Sequence, residues 1–298
     1  MREAAMLDRN PFKGKTPDKD VPQQDTPGVE AAMKPGADHG EQSYEGSGKL
    51  EGLAAIVTGG DSGIGRAVAI AFAREGADVA IGYLSEEEDE DAQETRRWVE
   101  QAGRRCIVHR FDVRESAQCE DFVQTVVREF GRLDVLVNNA AYQMSQEGLE
   151  DITDEQIERT FRTNIFGYFY MARAALRHLR EGSVILNTGS VVALQGNPTL
   201  LDYASTKGAI HAFTKSLAQN LVDRKIRVNC VAPGPVWTPL NPQSKPADQV
   251  AKFGQDTPMK RAAQPEEMAP AYVLFASLAD SSYITGEVLT LLGGETTA

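Results

Sequence analysis

Cysteine is scarce in this chain: three residues in 298, at positions 106, 119 and 230. They are odd in number and scattered, with no CxxC pair and no Cys/His group at metal-ligand spacing, which argues against a disulfide framework and offers no metal site. Long apolar runs are missing as well. No stretch approaches the roughly 18 apolar residues that span a bilayer, and the first dozen residues lack the apolar segment of a secretory signal. A cytoplasmic protein with no membrane anchor is the expectation. Excess positive charge is also absent, since 31 Lys and Arg stand against 43 Asp and Glu for a formal net charge of −12. Such a surface repels phosphate backbones, so nucleic acid is not an expected partner.

What is present is a globular balance, 41% hydrophobic and 25% charged residues, sufficient for one large α/β domain or two small ones. The pattern along the chain favours one. Residues 1–48 carry Pro11, Pro17, Pro22, Pro27 and Pro35 in a polar stretch without periodicity. They read as an arm outside the core, either a disordered tail or a segment ordered against its own or a neighbouring subunit. From Leu53 onward short apolar runs alternate with helical stretches, the signature of βαβ units. Strands are expected over Leu53–Thr58, Asp78–Tyr83, Cys106–Arg110, Leu133–Asn138, Ser183–Thr188, Arg227–Val231 and Val288–Leu291. Helices are expected over Ile64–Arg74, Glu87–Gln101, Ser116–Phe130, Ile157–Leu179, Tyr203–Leu221 and Glu266–Leu278. Residues 49–298 thus read as a single Rossmann-type domain, a doubly wound parallel sheet of about seven strands flanked by helices. The acidic run Glu86–Asp91 reads as a solvated first helical turn.

The first strand runs into Thr58-Gly59-Gly60-Asp61-Ser62-Gly63-Ile64-Gly65 and then into a helix. Glycines permit a tight turn and close backbone approach, and the helix N-terminus offers free N–H groups to a pyrophosphate. A plain structural turn is the bland alternative, and its place at the first strand–helix junction weakens it. Ribose selectivity is read at the end of the second strand, where Tyr83 stands instead of a carboxylate. NAD and NADP both stay open: Glu86–Glu88 count against a 2′-phosphate, while Arg66 is either its partner or a surface residue. Further along, Tyr203 and Lys207 form a Tyr-x-x-x-Lys pair on one helical face. An ammonium beside a phenol stabilises the phenolate and lowers its pKa, as acid–base catalysis near neutrality requires.

In several places from Leu50 to Gly294, in order, the chain resembles the classical short-chain dehydrogenase/reductase family. Thr58–Gly65 resembles the family's TGxxxGIG loop and Asp112-Val113 its adenine-contacting segment. Asn138-Asn139-Ala140-Ala141 is similar to its NNAG segment, with Ala141 for the usual Gly. The resemblance implies a catalytic set of Asn164, Ser190, Tyr203 and Lys207. Tyr203 would exchange a proton with the substrate oxygen, Ser190 would hold that oxygen, Lys207 would also bind the nicotinamide ribose, and Asn164 would hold a relay water. The resemblance further implies that Asn139 and Ala140 border the nicotinamide side, and that Pro233, Gly234, Val236 and Thr238 contact the carboxamide. A substrate-covering loop would follow from Trp237 to about Met259, with Trp237 itself equally suited to plain packing. A homotetramer closed through Ser281–Gly294 is implied as well.

The arm's end, Tyr44 to Leu50, with the Asp61-Ser62 and Leu201-Asp202-Tyr203 segments, resembles a bacterial subgroup related to plant glucose and ribitol dehydrogenase homologues. The function implied is NAD(P)-dependent interconversion of an alcohol and a carbonyl, on a sugar or polyol. A reductase of other ketones and a dinucleotide-binding sensor or assembly protein with incidental turnover are the alternatives.

Overall fold

The computed structural model describes residues 23–297; Pro11, Pro17 and Pro22 of the arm lie outside them. Strands β1 (Ala54–Thr58), β2 (Asp78–Tyr83), β3 (Cys106–Arg110), β4 (Val135–Asn138), β5 (Val184–Thr188), β6 (Arg227–Pro233) and β7 (Val288–Leu291) form one parallel sheet. Their order is β3-β2-β1-β4-β5-β6-β7. Alternation along each strand divides the core in two. Val57, Ile81, Val137 and Leu186 point to one side, and Ile56, Ala80, Leu136 and Ile185 to the other. Both faces are covered, which is why these strands read as continuous apolar runs.

Helices α1 (Gly63–Arg74), α2 (Asp89–Gln101), α3 (Ser116–Phe130), α4 (Asp154–Phe161), α5 (Gly167–Ala175), α6 (Leu201–Leu221) and α7 (Ala269–Ala276) flank the sheet. Phe72 of α1 and Tyr272 of α7 fill the first core layer, while Phe122 of α3 and Met171 of α5 fill the second. The expected helix over Ile157–Leu179 is divided by a π-helical turn, Arg162–Phe166. The loop after β6, which has no firm periodicity, holds two short helices, Leu240–Ser244 and Ala247–Val250. The acidic run after β2 is only partly solvated, because Glu88 and Asp91 turn inward and are buried. Asp91 does so because its carboxylate accepts from the backbone N–H groups of Glu30 (2.6 Å) and Ala31 (3.1 Å).

Residues 23–48 run across the body of the chain. Met33 is buried with Trp237, Val250 and Ala262, and the Arg74 guanidinium donates to the Gly40 carbonyl at 2.9 Å. His39, 2% exposed, lies 3.1 Å from Glu30 and 3.0 Å from Glu41. Burial disfavours its charge, yet the hydrogen bonds and negative charge of the two carboxylates outweigh burial and lift its pKa from 6.5 to about 9. The folded chain therefore binds this proton more tightly than the unfolded chain does. Its stabilisation is complete below pH 6.5 and is lost as the pH rises through 9. In urea titrations His39→Ala is expected to cost about 1.5–3 kcal/mol near neutrality, the range for a charged hydrogen bond. The cost should shrink toward alkaline pH, and a difference independent of pH would contradict the assignment.

Candidate active site

The sheet order reverses between β1 and β4, and the loops leaving their carboxyl ends part to open a cleft there. The cleft encloses about 420 Å³, within the usual size of a ligand site. Its floor is the glycine loop. Gly59 sits at φ +63°, and a Cβ on it would lie 3.2 Å from the Ala140 Cα. Gly63 sits at φ +48°, with Thr238 3.0 Å from where its Cβ would be. At Gly65 a Cβ would stand 1.8 Å from the Gly59 carbonyl oxygen, so only glycine lets α1 begin this close to β1. The cradle keeps the free N–H groups of the first turn of α1 beside the cleft, which suits a pyrophosphate.

Thr58 braces this floor from behind: its Oγ1 accepts from the N–H groups of Asn139 (2.9 Å) and Ala140 (3.1 Å). The Asn139 amide in turn donates to the carbonyls of Thr58 and Gly59, each at 3.1 Å. Asp61, Ser62, Ile64, Tyr83, Asp112, Val113, Pro233, Gly234, Val236 and Thr238 all line the cleft. Thr58, Gly65 and Asn164 stand outside the lining. The Asp112 carboxylate is gripped by Arg114 at 2.9 Å. Burial works against its charge, but Arg114 outweighs it and holds the carboxyl below its ordinary pKa.

Arg66 is neither a surface residue nor open to a ribose phosphate. It is 5% exposed, and its guanidinium donates to the Asp61 carbonyl (2.8 Å), the Thr95 hydroxyl (3.1 Å) and the Asp91 carbonyl (3.0 Å). Two carboxyls that sequence reasoning did not single out as a pair, Asp61 and Glu88, share the end of the cleft beside Tyr83. Burial raises both pKa values, and each is raised further by a neighbouring carboxylate. Asp61 keeps one oxygen, Oδ2, buried without a partner.

Ser190, Tyr203 and Lys207 meet in the middle of the cleft. The Lys207 ammonium donates to the Thr188 carbonyl at 2.7 Å and stands 5.3 Å from the centre of the Tyr203 ring. Burial pushes its pKa down to about 8. The expected lowering of the Tyr203 pKa does not occur. Burial raises it, and the hydrogen bond with Ser190 offsets this only in part. The reason is geometric, because the ammonium is directed at the Thr188 carbonyl while the phenol is enclosed.

Asn164, in the π-helical turn, is fully buried. Its amide donates to the Tyr142 carbonyl (2.9 Å) and the Thr206 hydroxyl (3.0 Å), and its Oδ1 accepts from the Tyr142 N–H (2.8 Å). Both amide donors are thus engaged, and a relay water would have to meet Oδ1 or the peptide carbonyl. Trp237 is fully buried and donates through Nε1 to the Pro35 carbonyl at 2.8 Å, a packing role.

Sequence reasoning also missed Gln143, Arg159, Gln195, Asn197, Gln243 and Lys245, which line the outer cleft. None belongs to a motif. Thr26, Pro27 and Gly28 of the arm line it too, and no local pattern in the arm signals this.

A family model described as "Enoyl-(Acyl carrier protein) reductase" matches residues 59–296. The chain is 51% identical to "Glucose and ribitol dehydrogenase" of Daucus carota, over 91% of this chain and 94% of that protein. It is 49% identical to "NADPH-dependent aldehyde reductase 1, chloroplastic" of Arabidopsis thaliana, over 90% and 94%. Among solved structures, a short chain dehydrogenase from Burkholderia cenocepacia in complex with NADP is 35% identical, with a TM-score of 0.76 over 83% of this chain and 98% of that one. The chain is an NAD(P)-dependent oxidoreductase that interconverts an alcohol and a carbonyl. With its seven-stranded sheet and glycine cradle, it belongs to the classical short-chain dehydrogenase/reductase family.

Proposed function

We propose that the substrate is polyhydroxylated, a sugar or polyol and its carbonyl counterpart, and that NAD is the preferred dinucleotide. The observation that carries the substrate class is the polar lining of the cleft: Arg159, Gln195, Asn197 and Lys245 stand in it with Tyr203, while the Gln143 amide is spent on Leu240 and Ser244 and the Gln243 oxygen on the Gly28 N–H. Amides and cations at this density hydrogen-bond several hydroxyls and penalise an apolar ligand that leaves them unpaired. The carrot relative's name points the same way. The preference for NAD is carried by Asp61, whose buried Oδ2 has no partner and suits a ribose hydroxyl, with the Glu88 carboxyl beside it in the cleft. Arg66 and Arg114 are already spent on Asp91 and Asp112.

The glycine loop from Thr58 to Gly65 would hold the pyrophosphate, Asp112 and Val113 the adenine, and Asn139, Ala140, Pro233, Gly234, Val236 and Thr238 the nicotinamide. When bound, the dinucleotide supplies or accepts a hydride. Ser190 and Tyr203 orient the substrate oxygen. Because burial raises its pKa, Tyr203 is a phenol near neutrality and gives its proton to a carbonyl oxygen. In the oxidative direction it must lose that proton against the bias that burial sets. Asn164 positions the Tyr142 peptide and Thr206 behind this pair.

The protein acts as a homotetramer in this reading, because two separate apolar patches remain exposed. Phe166 and Phe169, three positions apart, are 44% and 51% exposed, and Leu278 and Tyr283, shortly before β7 in the chain, are exposed as well. Two independent two-fold contacts build a closed tetramer. A reducing cytoplasm fits three cysteines that all remain free thiols.

Tyr203→Phe is expected to lower kcat by about 10²–10⁴ while NADH affinity stays at the wild-type value; steady-state kinetics beside a fluorescence titration checks both. Alcohol oxidation should rise with pH through the alkaline range as Tyr203 becomes easier to deprotonate, and a flat profile would contradict the assignment. Paired titrations should show tighter binding of NADH than of NADPH, with Glu88→Gln narrowing the difference. Equal affinities in the wild type would remove the case for NAD.

A further inference from the structure

We infer that Glu30, in the arm, is a positioning residue for the dinucleotide: it holds the start of α1 in the conformation that receives the pyrophosphate. The inference rests on the cofactor reading above, in which the glycine loop is the pyrophosphate site. The Gly63 N–H, the first of α1, donates to Glu30 Oε2 at 2.9 Å. Glu30 reaches this place from 33 positions upstream and is 6% exposed. The contact satisfies a buried backbone donor that α1 cannot pair internally. Ile64, the next residue, lines the cleft.

A carboxylate so near a pyrophosphate would repel it unless offset; His39, 3.1 Å away and shared with Glu41, and the charge of Arg66 offset it in part. The carboxylate also complements the positive end of the α1 dipole. Its backbone is fixed independently, because the N–H groups of Glu30 and Ala31 both donate to Asp91 of α2. Asp91 in turn accepts from Arg66 at 3.2 Å. The arm therefore ties the glycine loop to α2 through Glu30, and to the loop over the cleft through other residues. The Gly28 N–H donates to Gln243, the Gln24 N–H to the Pro242 carbonyl at 3.3 Å, and Trp237 to the Pro35 carbonyl at 2.8 Å. A Cβ on Gly63 would lie 3.0 Å from Thr238 of that loop. Floor and cover of the cleft share one strap, and Glu30 is its contact with the floor.

The test is equilibrium binding of NADH to the full-length protein, followed by nicotinamide fluorescence, so that no substrate needs to be known. Glu30→Leu keeps the buried volume and removes the acceptor, and is expected to weaken NADH about ten-fold, the loss of one charge-assisted hydrogen bond's ordering effect. Glu30→Ala should do the same should the Leu variant fail to fold. Glu30→Gln, which retains an acceptor for the Gly63 N–H, should restore most of the affinity. Tyr44→Phe, which cuts an arm hydrogen bond to Glu75 away from the loop, should bind NADH as the wild type does. Wild-type affinity in both Glu30→Leu and Glu30→Ala would overturn the role of Glu30 while leaving the cofactor site standing, and so would equal weakening by Tyr44→Phe. A wild-type protein that binds neither NADH nor NADPH would overturn the cofactor reading itself.

Discussion

The approach of α1 to β1 is the constraint on which the rest of the molecule depends. A single Cβ at position 65 would overlap the Gly59 carbonyl, so the helix can begin at the strand's end only because that atom is missing. From this follow the free N–H groups at the switch point of the sheet and the second tier of bonds that fixes them. Asn139 after β4 clamps the loop through Thr58, Arg66 of α1 ties it to Asp91 of α2, and Glu30 clamps it from the arm. Each clamp pairs a backbone group that would otherwise be buried and unsatisfied, which costs more than a typical hydrogen bond gains.

Burial also sets the chemistry. Enclosure drives Tyr203 and Lys207 in opposite directions, the phenol toward its neutral form and the ammonium down to about 8. The pair is closer to a proton donor awaiting a carbonyl than to a preformed phenolate, and oxidation of an alcohol must work against that bias. At the other end of the cleft the same physics raises Asp61 and Glu88. There it leaves acceptor and donor capacity where a ribose would lie.

Much of this was legible in the sequence, because it rests on local periodicity. Strands β2, β3 and β7 fall where alternation and flanking turns put them, and β1, β4 and β5 begin one or two residues later than expected. Gly59, Gly63 and Gly65 announced a cradle by their spacing, and Tyr203 and Lys207 a shared helical face. What was illegible depends on partners distant in the chain. Arg66 reads as solvated until Asp91 and Thr95 are seen beside it, and Glu88 reads as part of a charged run until Asp61 lies opposite. Gly28 and Glu30 read as an arm, since nothing near them encodes contact with residues 63 and 243. The pKa of Tyr203 was misread for the same reason: helical spacing brings Lys207 near, but the Thr188 carbonyl on β5 decides where its ammonium points.

The account stands or falls on whether the cleft passes hydrogen directly between a bound nicotinamide and a substrate carbon beside Tyr203. Reduction of a small hydroxyaldehyde with NADH carrying two deuteriums at the reactive nicotinamide carbon, followed by mass spectrometry of the alcohol, tests this most directly. The account predicts one deuterium on the carbinol carbon. An alcohol formed without deuterium, or NADH consumed with no alcohol formed from any aldose or hydroxyaldehyde, would contradict it.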